Sequence, residues 1–345
     1  MSEVLALQGA PLMGALLAMR ELTGASSAVL LGLIIGNGLL VAHVFMINDW
    51  AGIESDLRDP HRAARTFIAR GFTRQQIGFY AVTLLAAALA VFASLGPASL
   101  GVAVVIAGLS ALYSTPGIHM KGRPGFSSAL HLLGGALHFV LGYIVFAPLG
   151  LQALVVSSVF GLVFTAGHFT HEARDHEGDA LNNIRTNAVV MGRRSGLIAG
   201  FLCFSVAYGL LFFFALAGTL PRALIIAAPL YLLHAVAFAS VVRHGLSFSR
   251  LRRLQHLYRI LFALIGLALA VGAVQTWDWP SSWMTKNLAT DDESSKAKLH
   301  PFRRSGQSLA CSHHPGLQRS EDPASGALQR QPRAAGRSQA GRYRR

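Results

Sequence analysis

Between Leu22 and Trp277 the chain carries eight acidic residues, and all of them fall in two short runs. The first is Asn48-Asp49-Trp50-Ala51-Gly52-Ile53-Glu54-Ser55-Asp56-Leu57-Arg58-Asp59, and the second is Glu172-Ala173-Arg174-Asp175-His176-Glu177-Gly178-Asp179. On a helix, Asp49 and Asp56 stand two turns apart and point one way, with Asn48 in reach of the same stripe; Asp175 and Asp179 are one turn apart on a common face. Oxygen donors from two helices, with no cysteine among them, suit a hard cation such as Mg2+, which keeps waters and completes its shell with substrate phosphates. Asn48, Asp49, Asp56, Asp175 and Asp179 are therefore the candidate metal ligands, and Asp56, Asp175 and Asp179 the candidate catalytic carboxylates. Lys121, Arg123, Arg174 and Arg185 supply cations suited to diphosphate oxygens. A pyrophosphate held by such a metal and such cations is a stabilised leaving group.

The elements that must position these groups are membrane helices. Of 345 residues, 52% are hydrophobic and 13% charged, with a mean hydropathy of +0.46; a soluble domain is about 25% charged. Nine segments approach the roughly 20 apolar residues a spanning helix needs: 4–19, 26–47, 75–95, 98–114, 127–148, 151–169, 195–218, 222–242 and 255–276. Unbroken apolar runs do not alternate as membrane strands do, so the fold class is all-α and polytopic. Fifteen Lys and Arg fall in the connections that hold the acid runs and their counterparts, against two, Arg20 and Arg222, on the other side. The positive-inside rule puts both acid runs on the cytoplasmic side, an inner or plasma membrane being the prokaryotic setting. The first segment has no Lys or Arg before its apolar run, so it reads as a transmembrane helix rather than a signal peptide.

Two domains follow: a membrane domain over 1–276 and a basic tail over 277–345. Twelve of the thirty Lys and Arg lie beyond Trp279, in a stretch poor in large apolar residues, which reads as disordered. With so many of the cations in that tail and the rest in the loops between membrane segments, the net charge of +14 does not indicate a nucleic-acid partner. Cys203 and Cys311 are too few and too far apart for a disulfide framework or a cysteine metal site.

The run Asn48-Asp49-x-x-Gly52-x-x-x-Asp56, followed by Arg65-Thr66-Phe67-Ile68-Ala69-Arg70-Gly71, resembles the first signature of the UbiA-type intramembrane prenyltransferases. Tyr113-Ser114-x-Pro116 with Lys121 and Arg123 is similar to their tyrosine-serine-proline loop, and Asp175-x-x-x-Asp179 with Arg185-Thr186 to their second signature. The resemblance covers about residues 4–276 and implies a nine-helix bundle. It also implies that Asn48 and Asp56 help hold one Mg2+, Asp175 and Asp179 another, and Lys121 and Arg123 the diphosphate. The implied reaction is loss of pyrophosphate from an allylic polyprenyl diphosphate and capture of the cation by an aromatic, quinone-precursor or lipid acceptor. Two positions depart from the pattern: Gly52 stands where the family has an aspartate, and Thr66 where it has proline.

Other groups carry weaker expectations. His171 and His176 are five apart, so their rings diverge and a zinc-protease helix is excluded. His43, Tyr113 and His171 are assigned to an acceptor pocket, while His168, His171 and His176 line its mouth and one of them is a candidate base on the acceptor. Gly134-Gly135 and Gly32-x-x-x-Gly36 permit close helix packing. Against the enzyme reading stands a transporter, whose carboxylates bind cations or carry protons deep within helices. Here the acids sit at helix ends beside phosphate-compatible cations. The bland alternative for the acids is surface pairing with Arg58 and Arg174. No residue specifies acceptor, prenyl length or oligomeric state.

Overall fold

The structure, a computed structural model, describes residues 7–59, 63–115 and 120–277, apart from the side chain of Arg65. Arg62, Pro116 and the basic tail beyond 277 lie outside the described residues. Among those described, the chain is all helical, with no strand. In order the helices are α1 (Gly9–Ala18), α2 (Gly24–Arg58), α3 (Arg74–Leu95), α4 (Pro97–Ser114), α5 (Phe126–Ile144), α6 (Leu151–Leu181), the short α7 (Asn187–Met191), α8 (Arg193–Leu216), α9 (Ala227–His244, entered through a 3-10 turn, Arg222–Ile226) and α10 (Phe248–Val274).

Eight of these helices, counting α9 with its leading turn, are long and apolar enough to cross a membrane. They coincide with eight of the nine expected segments. The ninth, α1, has ten described residues, about 15 Å of helix, which is short of a hydrocarbon core by itself. Large apolar side chains such as Phe79, Val82, Phe213, Leu232 and Val236 point outward, a surface that only lipid accommodates. The chain is a multi-pass integral membrane protein.

Local signals set the helix starts. Thr23 and Ser26 form a reciprocal cap on α2, Thr73 and Gln76 do the same on α3, and Pro97 opens α4 where its missing N–H costs nothing. At 35 and 31 residues, α2 and α6 are longer than a bilayer requires. At 1.5 Å per residue α2 runs about 52 Å, roughly 20 Å beyond the hydrocarbon core. Both acid runs ride on these helical extensions, so each is presented by a continuous helix rather than a loop.

Glycines bring α6 against its neighbours. A Cβ on Gly161 would meet the backbone O of Leu132 on α5 at 2.6 Å, and one on Gly135 would meet the O of Phe160 at 2.8 Å. On the opposite side, a Cβ on Gly200 of α8 would lie 3.0 Å from the O of Ala166. α6 is thus wedged between α5 and α8 with near backbone contact on both sides. The Gly32 and Gly36 positions pack likewise on Leu95 and Phe92 of α3.

Candidate active site

One stripe of α6, Val156, Phe160, Val163, Gly167, His171, Asp175 and Asp179, lines a cavity of about 910 Å3. Its spacing of three and four residues keeps it on one helical face, so the wall changes along its length from apolar to acidic. Asn48 of α2, Tyr113 of α4, Lys121, and Arg174 of α6 join Asp175 and Asp179 at the polar end. Met13, Val159, Phe262, Ile265 and Leu269 line the apolar part.

The two acid-bearing helix ends meet at Gly178. A Cβ there would lie 2.6 Å from Oδ2 of Asp59, which is itself buried. Nearby, Nδ2 of Asn182 donates to the backbone O of Ser55 at 3.2 Å. Asp59 belongs to the first acid run but was not among the sequence-assigned ligands. Its azimuth was the available signal: eleven residues beyond Asn48, it returns to within about 20° of that residue's direction, whereas Asp56 is about 80° away and Asp49 about 100°.

The eight acids divide by environment. Glu54 pairs with Arg74 at 3.3 Å and Glu177 with Arg193 at 3.0 Å, both carboxylates well exposed, so these two are surface pairs of small worth. Asp175 accepts two hydrogen bonds from Arg174, Nε at 2.6 Å and Nη2 at 2.9 Å, while Arg174 Nη1 donates to Gln255 of α10 at 2.9 Å. That clamp fixes Arg174 at the cavity rim and ties α10 to α6. Glu172 also borders the cavity but is engaged by protein groups. It is 4% exposed, accepts from Nδ2 of Asn187 on both oxygens at 3.1 and 2.9 Å, and lies 2.9 Å from Nε2 of His168.

Of the residues assigned from sequence, Asn48, Asp175, Asp179, Lys121, Arg174, Tyr113 and His171 line the common cavity, and Asp49, Asp56, Arg123, Arg185 and His43 do not. His43 faces α3, its Nδ1 2.8 Å from the carbonyl of Ala81, because the buried side of α2 at that level packs on α3. Arg123 and Arg185 are exposed on adjoining loops. Thr186, next to Arg185, reaches the cavity instead. His176 also lies off the lining, whereas His131, His138 and His168 are on it. Asp56 folds over Gly52, its Oδ2 3.4 Å from where a Cβ would be, so the space an aspartate would occupy there borders a carboxylate.

Among the described residues no three His, Cys, Asp or Glu groups converge as a ready metal cluster. The donor set nevertheless fits a hard divalent cation: carboxylate and amide oxygens from two helix ends, held together through Asp59 and Gly178, facing two cations.

The sequence matches the UbiA prenyltransferase family over residues 10–247. The chain belongs to the UbiA prenyltransferase family. Its fold is that of solved UbiA homologues. An apo UbiA homologue from Aeropyrum pernix K1 aligns with a TM-score of 0.63 at 17% identity, over 78% of this chain and 97% of that one. A UbiA homologue from Archaeoglobus fulgidus bound to GPP and Mg2+ aligns at 0.60 and 14% identity, over 78% and 97%. The structure described for digeranylgeranylglyceryl phosphate synthase aligns at 0.61 and 17%, over 79% and 94%. No curated protein matches the chain. For this UbiA member, the polar end of the cavity lies where α2 and α6 leave the apolar part of the bundle, at the meeting of its two acid runs.

Proposed function

We propose that this protein is a Mg2+-dependent prenyltransferase that takes the prenyl group of an allylic polyprenyl diphosphate, releases pyrophosphate and alkylates an aromatic, quinone-precursor or lipid acceptor. The observation that carries this reading is a cavity that joins carboxylates and cations at one end to an apolar wall at the other. An amphiphile with a charged head and a hydrocarbon tail matches that gradient. The A. fulgidus homologue bound to GPP and Mg2+ supports the same pairing of ligand and ion.

In this reading Asn48, Asp175 and Asp179 hold Mg2+ from the cavity lining, with Asp49 and Asp56 of the same acid run beside it, and Lys121 and Arg174 bind diphosphate oxygens within the cavity. Arg123 and Arg185, exposed on the neighbouring loops, attract the charged head to the opening. The chemistry a bound Mg2+ supplies is neutralisation of charge on the departing pyrophosphate. The apolar stretch from Val156 to Val163 excludes water from the allylic carbon, so that capture goes to the acceptor. The fifteen-to-two division of basic residues between the faces supports a cytoplasmic position for this end.

The test is pyrophosphate release by the purified protein with Mg2+, geranyl diphosphate and a panel of acceptors, with and without chelator. Release that stops on chelation and returns with Mg2+ is expected. Absence of release with every acceptor, together with metal-dependent ion flux in vesicles, would replace this reading with that of a transporter.

A further inference from the structure

On the cavity wall between the acidic end and the apolar part sits a polar patch that binding of a diphosphate does not use. His131 of α5 stacks face to face on His168 of α6, centroids 3.7 Å apart and planes 12° from parallel, with Tyr113 edge-on at 5.1 Å. The close approach of α5 and α6 at Gly135 and Gly161 makes that stack possible. Nδ1 of His131 lies 2.8 Å from the carbonyl O of Ser127. A carbonyl only accepts, so Nδ1 carries the proton and Nε2 is the basic atom of a ring that lines the cavity. Two buried hydroxyls of α4 on the same lining, Ser110 and Ser114, have no hydrogen-bond partner among the described residues. Unsatisfied buried hydroxyls are costly, so they mark a place where a polar ligand sits.

We infer that this patch is the acceptor site, that the acceptor presents a neutral hydroxyl there, and that His131 is the catalytic base that takes its proton. The inference rests on the prenyl-transfer reading. The acceptor O–H proton passes to Nε2 of His131, and the oxygen forms a bond to C1 of the prenyl group; where the adjacent ring carbon attacks instead, the dienone formed gives up its ring proton and the oxygen regains one. The C1–O bond to the diphosphate breaks and its electron pair leaves on pyrophosphate. The resulting imidazolium is one stacked ring from the Glu172 carboxylate, which lies 2.9 Å from Nε2 of His168 and stabilises positive charge on the pair.

The experiment compares wild type with His131→Ala and His131→Phe, using Mg2+, geranyl diphosphate, and either a simple phenol or a long-chain alcohol as probe. His131→Ala should lower prenylated product about a hundredfold or more. Affinity for geranyl diphosphate with Mg2+ in the absence of acceptor should be that of the wild type, and added imidazole should restore product in His131→Ala but not in His131→Phe, whose ring fills the space. Near-wild-type product in His131→Ala, a parallel loss of geranyl diphosphate affinity, or no response to imidazole would overturn the role of His131. A wild type that releases pyrophosphate yet prenylates neither probe would overturn the acceptor class. A wild type that releases none refutes prenyl transfer itself, which is a separate outcome.

Discussion

The carboxylate of Asp59 rests on Gly178, 2.6 Å from where a side chain would begin, and this contact closes the gap between the two acid-bearing helix ends. Gly178→Ala should therefore push Asp59 away and part α2 from α6 at the site. We expect pyrophosphate release to fall more than tenfold, with a stability loss of about 1–3 kcal/mol from overpacking. Steady-state kinetics and thermal unfolding in detergent check both; wild-type turnover in Gly178→Ala would show that the contact is incidental.

Asp175 and Asp179 occupy consecutive turns on the cavity side of α6. Asp175→Asn and Asp179→Asn should each reduce Mg2+-dependent pyrophosphate release about a hundredfold or more while circular dichroism stays that of the wild type. Full activity in either variant would move the metal site elsewhere.

Adjacent glycines of α5 should respond in opposite ways. A Cβ at Gly135 would meet Cβ of Phe164 at 2.7 Å and the backbone O of Phe160 at 2.8 Å, whereas one at Gly134 meets nothing within 4 Å. Gly135→Ala should cost about 1–3 kcal/mol. Gly134→Ala should be neutral or stabilising by up to about 1 kcal/mol, because alanine is the better helix former. Equal melting temperatures for the two variants would contradict the packing described for α5 and α6.

Glu172 is the buried acid of the cavity wall, where the Asn187 amide and His168 close on it. Glu172→Ala strips the Asn187 amide of both carboxylate acceptors, leaving it the hydroxyls of Ser127 and Ser128, and should destabilise the protein by about 1–3 kcal/mol. Glu172→Gln, which keeps one acceptor oxygen, should lose less. Thermal unfolding of the two variants decides; if both melt with the wild type, the network contributes no stability.

Local signals made much of this protein readable in one dimension. Length and hydropathy place all eight spans, because a spanning helix satisfies its own backbone and needs no partner to declare itself, but α2 and α6 run on to Arg58 and Leu181, well past the expected ends at 47 and 169. The acid runs, their confinement to two helix ends and the family signature are likewise local. Azimuth was half legible. A 3.6-residue period relates Asp175 to Asp179, and Asn48 to Asp59, but it says nothing of which side of a helix meets the cavity.

That choice belongs to tertiary packing. Glycines at 135, 161, 178 and 200 decide how close each neighbour comes to α5, α6 and α8, and so which way α6 presents its faces. The packing turned His43 toward Ala81, left Arg123 and Arg185 on exposed loops, drew Glu172 inward and brought His131 onto His168. The sequence by itself determined which residues are present and along which helices they run. Only the packed bundle decided which of them share a cavity, because side-chain direction is settled by contacts between helices far apart in the chain.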